Sequence, residues 1–300
     1  MNREHALQIL LNLQVQMTAL LCIALILLNL TSSFAIYNGE SCDPRNYTFL
    51  VQLVGHRKNN STVKCSGTLI RLDTVLTAAH CVLNFKRSIF AEPKVVLHTE
   101  KGKVAVGTKE IHIHAKYDKE NLQYDVAILR LEEAFASSEA STITLPKTHS
   151  PKNLERCSKG RFLGWGRTKF LGIGQTSEPS KESLHCIELP VISNEDCSIL
   201  RSLDKIETFF CTFSGFHTAG GGCIGDSGGP FICEGVQYGI ASVNFGCGIR
   251  GEPTYFTRID KAFGFIDRHV RSYAVSGMTN GVTGFVVYSL IFIHCNWSFQ

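Results

Sequence analysis

Short apolar or alternating runs recur through the middle of the chain, at Phe49–Val54, Thr68–Leu72, Lys94–His98, Val104–Val106, Ile111–Ile113 and Val126–Leu131. They continue at Ile187–Ile192, Pro230–Cys233, Gln237–Val243 and Thr254–Ile259, with Gly, Pro, Asn and Asp between many of them. Many short strands separated by turn residues predict an all-β sandwich or barrel. One segment has a different period. Ile259, Phe263, Ile266, Val270 and Tyr273 are spaced four, three, four and three, which is one face of an α-helix closing the compact region. The polar stretch Thr148–Lys159 reads as a link between two halves.

Two apolar runs lie outside this pattern. Ala19–Leu30 is 12 residues long, too short to span a bilayer, and is followed by Thr31-Ser32-Ser33-Phe34-Ala35. That is a signal-peptide core with a small-residue cleavage pattern, so residues 1–35 are expected to leave a mature chain starting near Ile36. Met17 offers a second start, and the sequence does not choose between it and Met1. Near the other end, Phe285–Ile293 is apolar except for Ser289. Nine helical residues reach only about 14 Å against roughly 30 Å of hydrocarbon, so a spanning helix is not expected; a lipid-anchor signal with Ser276-Gly277 upstream is the lesser alternative to a secreted tail. Residues 272–300 are left as an extension of unknown role.

Charge and cysteine content narrow the picture. The 300 residues carry 30 basic and 26 acidic side chains with no basic stripe, which argues against a nucleic-acid partner. Twelve cysteines without a Cys-x-x-Cys pair argue for disulfides in an oxidising compartment rather than a zinc site. The expected location is therefore extracellular, after secretion. Asn46, Asn59, Asn60 and Asn296 sit in glycosylation triplets and are surface expectations. His112 and His114 share one face of a strand without a third ligand nearby in sequence, and read as a solvated face. No metal or other cofactor is implied.

Three motifs carry chemistry. Thr77-Ala78-Ala79-His80-Cys81 offers an imidazole, Tyr124-Asp125-Val126-Ala127-Ile128 a carboxylate, and Gly225-Asp226-Ser227-Gly228-Gly229-Pro230 a hydroxyl in a glycine-rich turn. A serine hydroxyl is a poor nucleophile at neutral pH and needs a base; imidazole titrates in the right range, and a carboxylate can fix its tautomer. In the order His, Asp, Ser these motifs resemble the trypsin/chymotrypsin family of serine endopeptidases, over Ile36 to about Ser272.

The resemblance implies two packed Greek-key β-barrels with the active site between them and a C-terminal helix. The barrels would cover roughly residues 36–147 and 160–258, and the helix 259–271. It assigns His80 as general base, Asp125 as its orienting partner and Ser227 as nucleophile, with Gly225 and Ser227 amides as the oxyanion hole. Ser242 would support Asp125. Asp226 would pair with the α-ammonium of Ile36, although Ile36-Tyr37-Asn38-Gly39 departs from the family's Ile-Val-Gly-Gly. Because Ala35 precedes Ile36, a single cut could remove the signal and create that amine. The expected bridges are Cys42–Cys186, Cys65–Cys81, Cys157–Cys233, Cys197–Cys211 and Cys223–Cys247, leaving Cys22 in the signal and Cys295 without a partner.

In the pocket, the position that carries aspartate in trypsin-like members is Gly221, followed by Gly222, so the floor has no charge. Two wall positions that are glycine in wide pockets are Asn244 and Thr254. This resembles the narrowing in elastases and implies cleavage after small apolar residues, with an open slot for aromatic residues as second choice. The implied partners are protein or peptide substrates and protein protease inhibitors, met by a monomer. The alternative function is a catalytically poor homologue used as a binding or regulatory module, for instance if Asn244 obstructs substrate.

Overall fold

The computed structural model describes residues 14, 16–17, 36, 39–56, 62–87, 94–147, 154, 156–166, 183–201, 207–217, 220–242, 247 and 249–271. Most of the signal run, Asn59, Asn60, Asn244 and the whole 272–300 extension with Cys295 and Asn296 lie outside the described residues. Residues 1–33 and 34–300 form separate units, and everything below concerns the second.

Two antiparallel sheets are built in succession. The first contains β2 (Leu50–His56), β3 (Thr62–Arg71), β4 (Thr74–Thr77), β5 (Lys94–Thr99), β6 (Gly102–Val106), β7 (Thr108–Ile113) and β8 (Ala127–Leu131), in the order β6-β5-β2-β3-β4-β8-β7. β2, β3 and β4 form a meander and β5 returns to lie beside β2, which is a Greek key. The two end strands, β6 and β7, are separated in the chain by Gly107 alone, so the sheet's two edges come together at that turn. The second sheet contains β1 (Glu40–Ser41), β9 (Lys159–Gly164), β10 (His185–Ile192), β11 (Phe209–Thr212), β12 (Pro230–Cys233), β13 (Val236–Ala241) and β14 (Thr254–Arg258). Its order is β1-β10-β11-β14-β13-β12-β9, and β9 also pairs with β10 from Gly164↔His185 to Lys159↔Pro190. That last pairing closes the ring. The all-β, two-barrel expectation is met.

Several strands have no exposed face. β4, β8 and β14 are buried along their whole length. Strands covered on both sides lose the apolar–polar alternation, because packing partners wait on each face. The first core gathers Val51, Leu53, Leu76, Leu97, Ile128 and Leu129. The second is built on aromatic rings: Phe162, Phe210, Phe231 and Phe256 meet at centroid distances of 5.1–5.3 Å. Ile36 joins this second core and is fully buried.

Helices are few. α1 (Ala79–Arg87) follows β4 directly. α2 (Asn194–Arg201) has a capping box: Ser193 Oγ accepts from the Asp196 amide at 3.0 Å, and Glu195 and Asp196 place acid in the first turn. The predicted terminal helix is present as α3, residues 259–271. Although it leaves the second barrel, its buried face of Ile259, Ala262 and Ile266 packs into the first barrel's core. α3 thus straps one barrel to the other. It also covers the two histidines read as a solvated face. His112 lies 4.5 Å from the His269 ring, and His114 stacks on Tyr124 at 4.6 Å with Phe265 at its edge. Both are half-buried, because the helix packs across β7.

Candidate active site

The seam between the barrels brings the three motifs together. His80 is the second residue of α1, just after β4, and Asp125 precedes β8, so both hang from adjacent strands of the first barrel. Asp125 is fully buried, yet its charge is compensated at each oxygen. Oδ1 accepts from the His80 amide at 2.8 Å; Oδ2 accepts from His80 Nδ1 at 2.7 Å and from the hydroxyl of Ser242. Since a carboxylate only accepts, Nδ1 carries the proton and Nε2 is left as the basic nitrogen. Ser242 comes from the end of β13 in the second barrel, so one carboxylate is held from both sides of the seam.

Ser227 enters from the second barrel on the turn before β12. Its carbonyl accepts from the Ser66 amide of β3 at 2.7 Å and lies 3.6 Å from Cys81 Sγ, which is itself 3.8 Å from His80 Nε2. Among the described residues no hydrogen bond joins Ser227 Oγ to His80. Such contacts are commonly long in a site without substrate. The loop is also pinned from within. The amides of Asp226, Gly228 and Gly229 donate to Cys223, Ala241 and Asp226 carbonyls, whereas those of Gly225 and Ser227 have no internal acceptor among the described residues. Two amides of the loop are thereby left without an acceptor among the described residues.

Close approach explains two glycines here. A Cβ on Gly228 would stand 2.2 Å from both the Ser66 carbonyl and Thr77 Oγ1, so only glycine lets the nucleophile loop touch the first barrel. Gly225 has φ +103, a backbone region open to glycine, and a Cβ there would press on Gly166 at 2.9 Å.

Asp226 is fully buried and accepts one amide at each oxygen, Gly166 at 2.7 Å and Cys223 at 2.8 Å. Burial pushes its carboxyl up to about 7, with the two amides opposing the rise. Gly164 and Gly166 make the room, since Cβ atoms there would sit 2.0 and 2.5 Å from the carboxylate. The sequence reading missed both glycines. The signal available was the Gly164-Trp165-Gly166 spacing at the end of an unrecognised strand. Ile36, the intended partner, is buried in the adjacent core with φ 44, a strained value for a β-branched residue.

The pocket residues converge as well. Gly221, Gly222 and Thr254 are all buried, and Thr254 Oγ1 accepts from the Gly222 amide at 3.2 Å. Thr254 fills the space over Gly221, where an added Cβ would be 2.5 Å from its hydroxyl, and Gly221 has φ +141. Asn244 is outside the described residues. All five expected cysteine pairs are in bonding position, with Cα separations of 4.4–6.2 Å. Cys65–Cys81 fastens β3 to α1 next to His80, and Cys223–Cys247 fastens the Ser227 loop to the segment after β13. The two groups of metal-type side chains among the described residues, Cys65/His80/Cys81 and Glu40/Cys42/Cys186, use cysteines already in disulfides.

Two Greek-key barrels with an imidazole, a buried carboxylate and a serine loop at their seam define a chymotrypsin-like architecture. A family model described as Trypsin matches residues 36–266, and the chain belongs to this family of trypsin-like serine proteases. It is 28% identical to Trypsin II-P29 of Gallus gallus over 240 residues, covering 79% of this chain and 90% of the relative. It is 30% identical to a Chymotrypsin of Phaedon cochleariae over 243 residues, 79% of this chain and 83% of the relative. Trypsin-3 of Salmo salar is 28% identical over 197 residues, 65% and 78% of the two chains. No helix among the described residues is long and apolar enough to cross a membrane.

Proposed function

We propose that this protein is a secreted serine endopeptidase that cleaves after small apolar residues. His80 Nε2 takes the proton of Ser227 Oγ as the hydroxyl attacks the scissile carbonyl, and Asp125 holds Nδ1–H and stabilises the imidazolium. The amides of Gly225 and Ser227 receive the oxyanion; losing one such donor costs about 3–4 kcal/mol of transition-state stabilisation. His80 then protonates the leaving amine, and water attacks the acyl-enzyme by the same route reversed. The observation that carries this reading is the Asp125 carboxylate, wholly buried and bonded at both oxygens to His80. A structural carboxylate has no need of a partly exposed imidazole.

Specificity follows from the filled, uncharged pocket. Thr254 shortens it above Gly221, so alanine and valine fit where lysine and arginine find no counter-charge. Preference among apolar residues is broad, because each methylene discriminates by only about 1–3 kcal/mol. The signal peptide ends at Ala35, and the same cut yields the Ile36 ammonium that pairs with Asp226. The mature protein works outside the cell as a monomer on protein substrates and is open to protein protease inhibitors. A fluorophosphonate probe tests the central claim: the chain starting at Ile36 is labelled at Ser227 and hydrolyses an Ala-terminated amide, and Ser227→Ala does neither. Absence of labelling in the wild-type chain would leave a binding module instead.

A further inference from the structure

We propose that Ser66 is a positioning residue for the oxyanion loop, acting as a two-pronged clip from the opposite barrel; this rests on the peptidase reading above. Ser66 lies on β3, opposite Gln52 of β2, and is fully buried. Its amide donates to the Ser227 carbonyl at 2.7 Å, and its hydroxyl donates to the Gly225 carbonyl at 3.2 Å. One residue of the first barrel therefore grips both ends of the three-residue segment whose amides form the oxyanion hole.

The two grips are not equivalent. The amide bond needs only backbone and would be made by any non-proline residue. The hydroxyl bond belongs to the side chain and fixes the peptide plane between Gly225 and Asp226. That plane's other pole, the Asp226 amide, donates to the Cys223 carbonyl at 3.1 Å. Gly225 has φ +103 and no side chain, so nothing in its own covalent structure holds the plane. Ser66 is itself held, because Thr77 Oγ1 donates to its carbonyl at 2.8 Å. The chain of bonds runs from Thr77 through Ser66 to Gly225, from the first barrel's strands to the glycine of the hole.

A hole whose donors are preset gains in the transition state and not in substrate binding. Removing the hydroxyl should therefore lower kcat and leave KM alone. We expect Ser66→Ala to reduce kcat about 10-fold or more with KM within twofold. A reversible peptide aldehyde, whose hemiacetal oxygen occupies the hole, should weaken by the same factor, while a non-covalent peptide acid binds unchanged. Ser66→Thr, which keeps the hydroxyl on a strand suited to β-branched residues, should recover most of kcat. Should the alanine chain fail to fold, Ser66→Gly carries the same comparisons. Equal kcat in wild type and Ser66→Ala, or parallel loss of aldehyde and peptide-acid affinity, would overturn the proposal while the peptidase reading stands. Failure of the wild-type chain to react with a fluorophosphonate would overturn both.

Discussion

The buried Asp226 should change the sign of its contribution when the chain is cut before Ile36. With residues still attached to Ile36, the partners of the carboxylate among the described residues are the amides of Gly166 and Cys223. Burial moves its carboxyl from 3.8 to about 7, which makes ionisation in the folded state about 4 kcal/mol harder than in the unfolded one. The folded chain then binds the extra proton between about pH 4 and pH 7, so its stability falls as pH rises through that window. Asp226→Asn removes the titration at the cost of one misdirected amide, about 1–3 kcal/mol. The stability difference between the extended wild type and its Asp226→Asn variant should swing by about 4 kcal/mol from pH 4 to pH 7, ending in favour of the variant or level with it. If the ammonium of a chain starting at Ile36 pairs with Asp226, as proposed above, the same substitution should cost about 3–5 kcal/mol at pH 7. Urea melts across this pH range, all in a Ser227→Ala background to prevent self-digestion, give the four curves. A difference that does not vary with pH in the extended chain, or that has the same sign and size in both chains, would refute the reasoning.

Gly221→Asp alone should not create cleavage after lysine, because the new Cβ meets Thr254 Oγ1 at 2.5 Å and φ is +141; substrate profiling should show activity lost rather than redirected. Thr254→Gly should instead raise the kcat/KM ratio for phenylalanine over alanine about tenfold or more, read on a matched pair of peptide amides. His98 stacks on Trp165 at 4.1 Å, and burial, helped by Lys103 and Lys64, lowers its imidazole to about 4. The unfolded chain is therefore protonated first as pH falls from 6.5 to 4, and stability is lost in that window, up to about 2 kcal/mol after screening of the partly exposed ring. His98→Phe, which keeps the stack, should lose correspondingly less in melts at pH 7 and pH 4; parallel losses in the two chains would refute this.

Strands whose apolar run is bounded by turn residues, such as β5, β12 and β14, were legible in the sequence. β9 was not, because Lys159, Gly160 and Arg161 look like loop; Gly160 is small because the Phe231 ring lies over it, where a Cβ would be 2.4 Å away. β11 is only Phe209–Thr212, and its four buried residues include two threonine-sized or smaller side chains that break the apolar signal. α1 was hidden for a different reason: its defining residues, His80 and Cys81, are fixed by the seam and a disulfide rather than by a helical face. The site was read through its three motifs, since each function needs a particular side chain. What stayed invisible were groups that act by being small or by their position across the seam. Ser66 has no local pattern to betray it, and the Gly164-Trp165-Gly166 spacing names no partner, because the groups they meet are about 60 to 160 residues away in the chain.

Seating the serine loop against the opposite barrel has a consequence for the chain's biosynthesis. The ribosome delivers His80, Asp125 and Ser66 long before Gly228, and a lone first barrel owns an imidazole with nothing to activate. A lone second barrel owns a hydroxyl with no base, and its turn lacks the Ser66 and Thr77 oxygens that Gly228 closes upon. On the peptidase reading proposed above, half-made copies therefore lack an assembled site. On that reading catalytic capacity arrives only with the final docking event, and any lesion that keeps the barrels apart would disarm the molecule at birth.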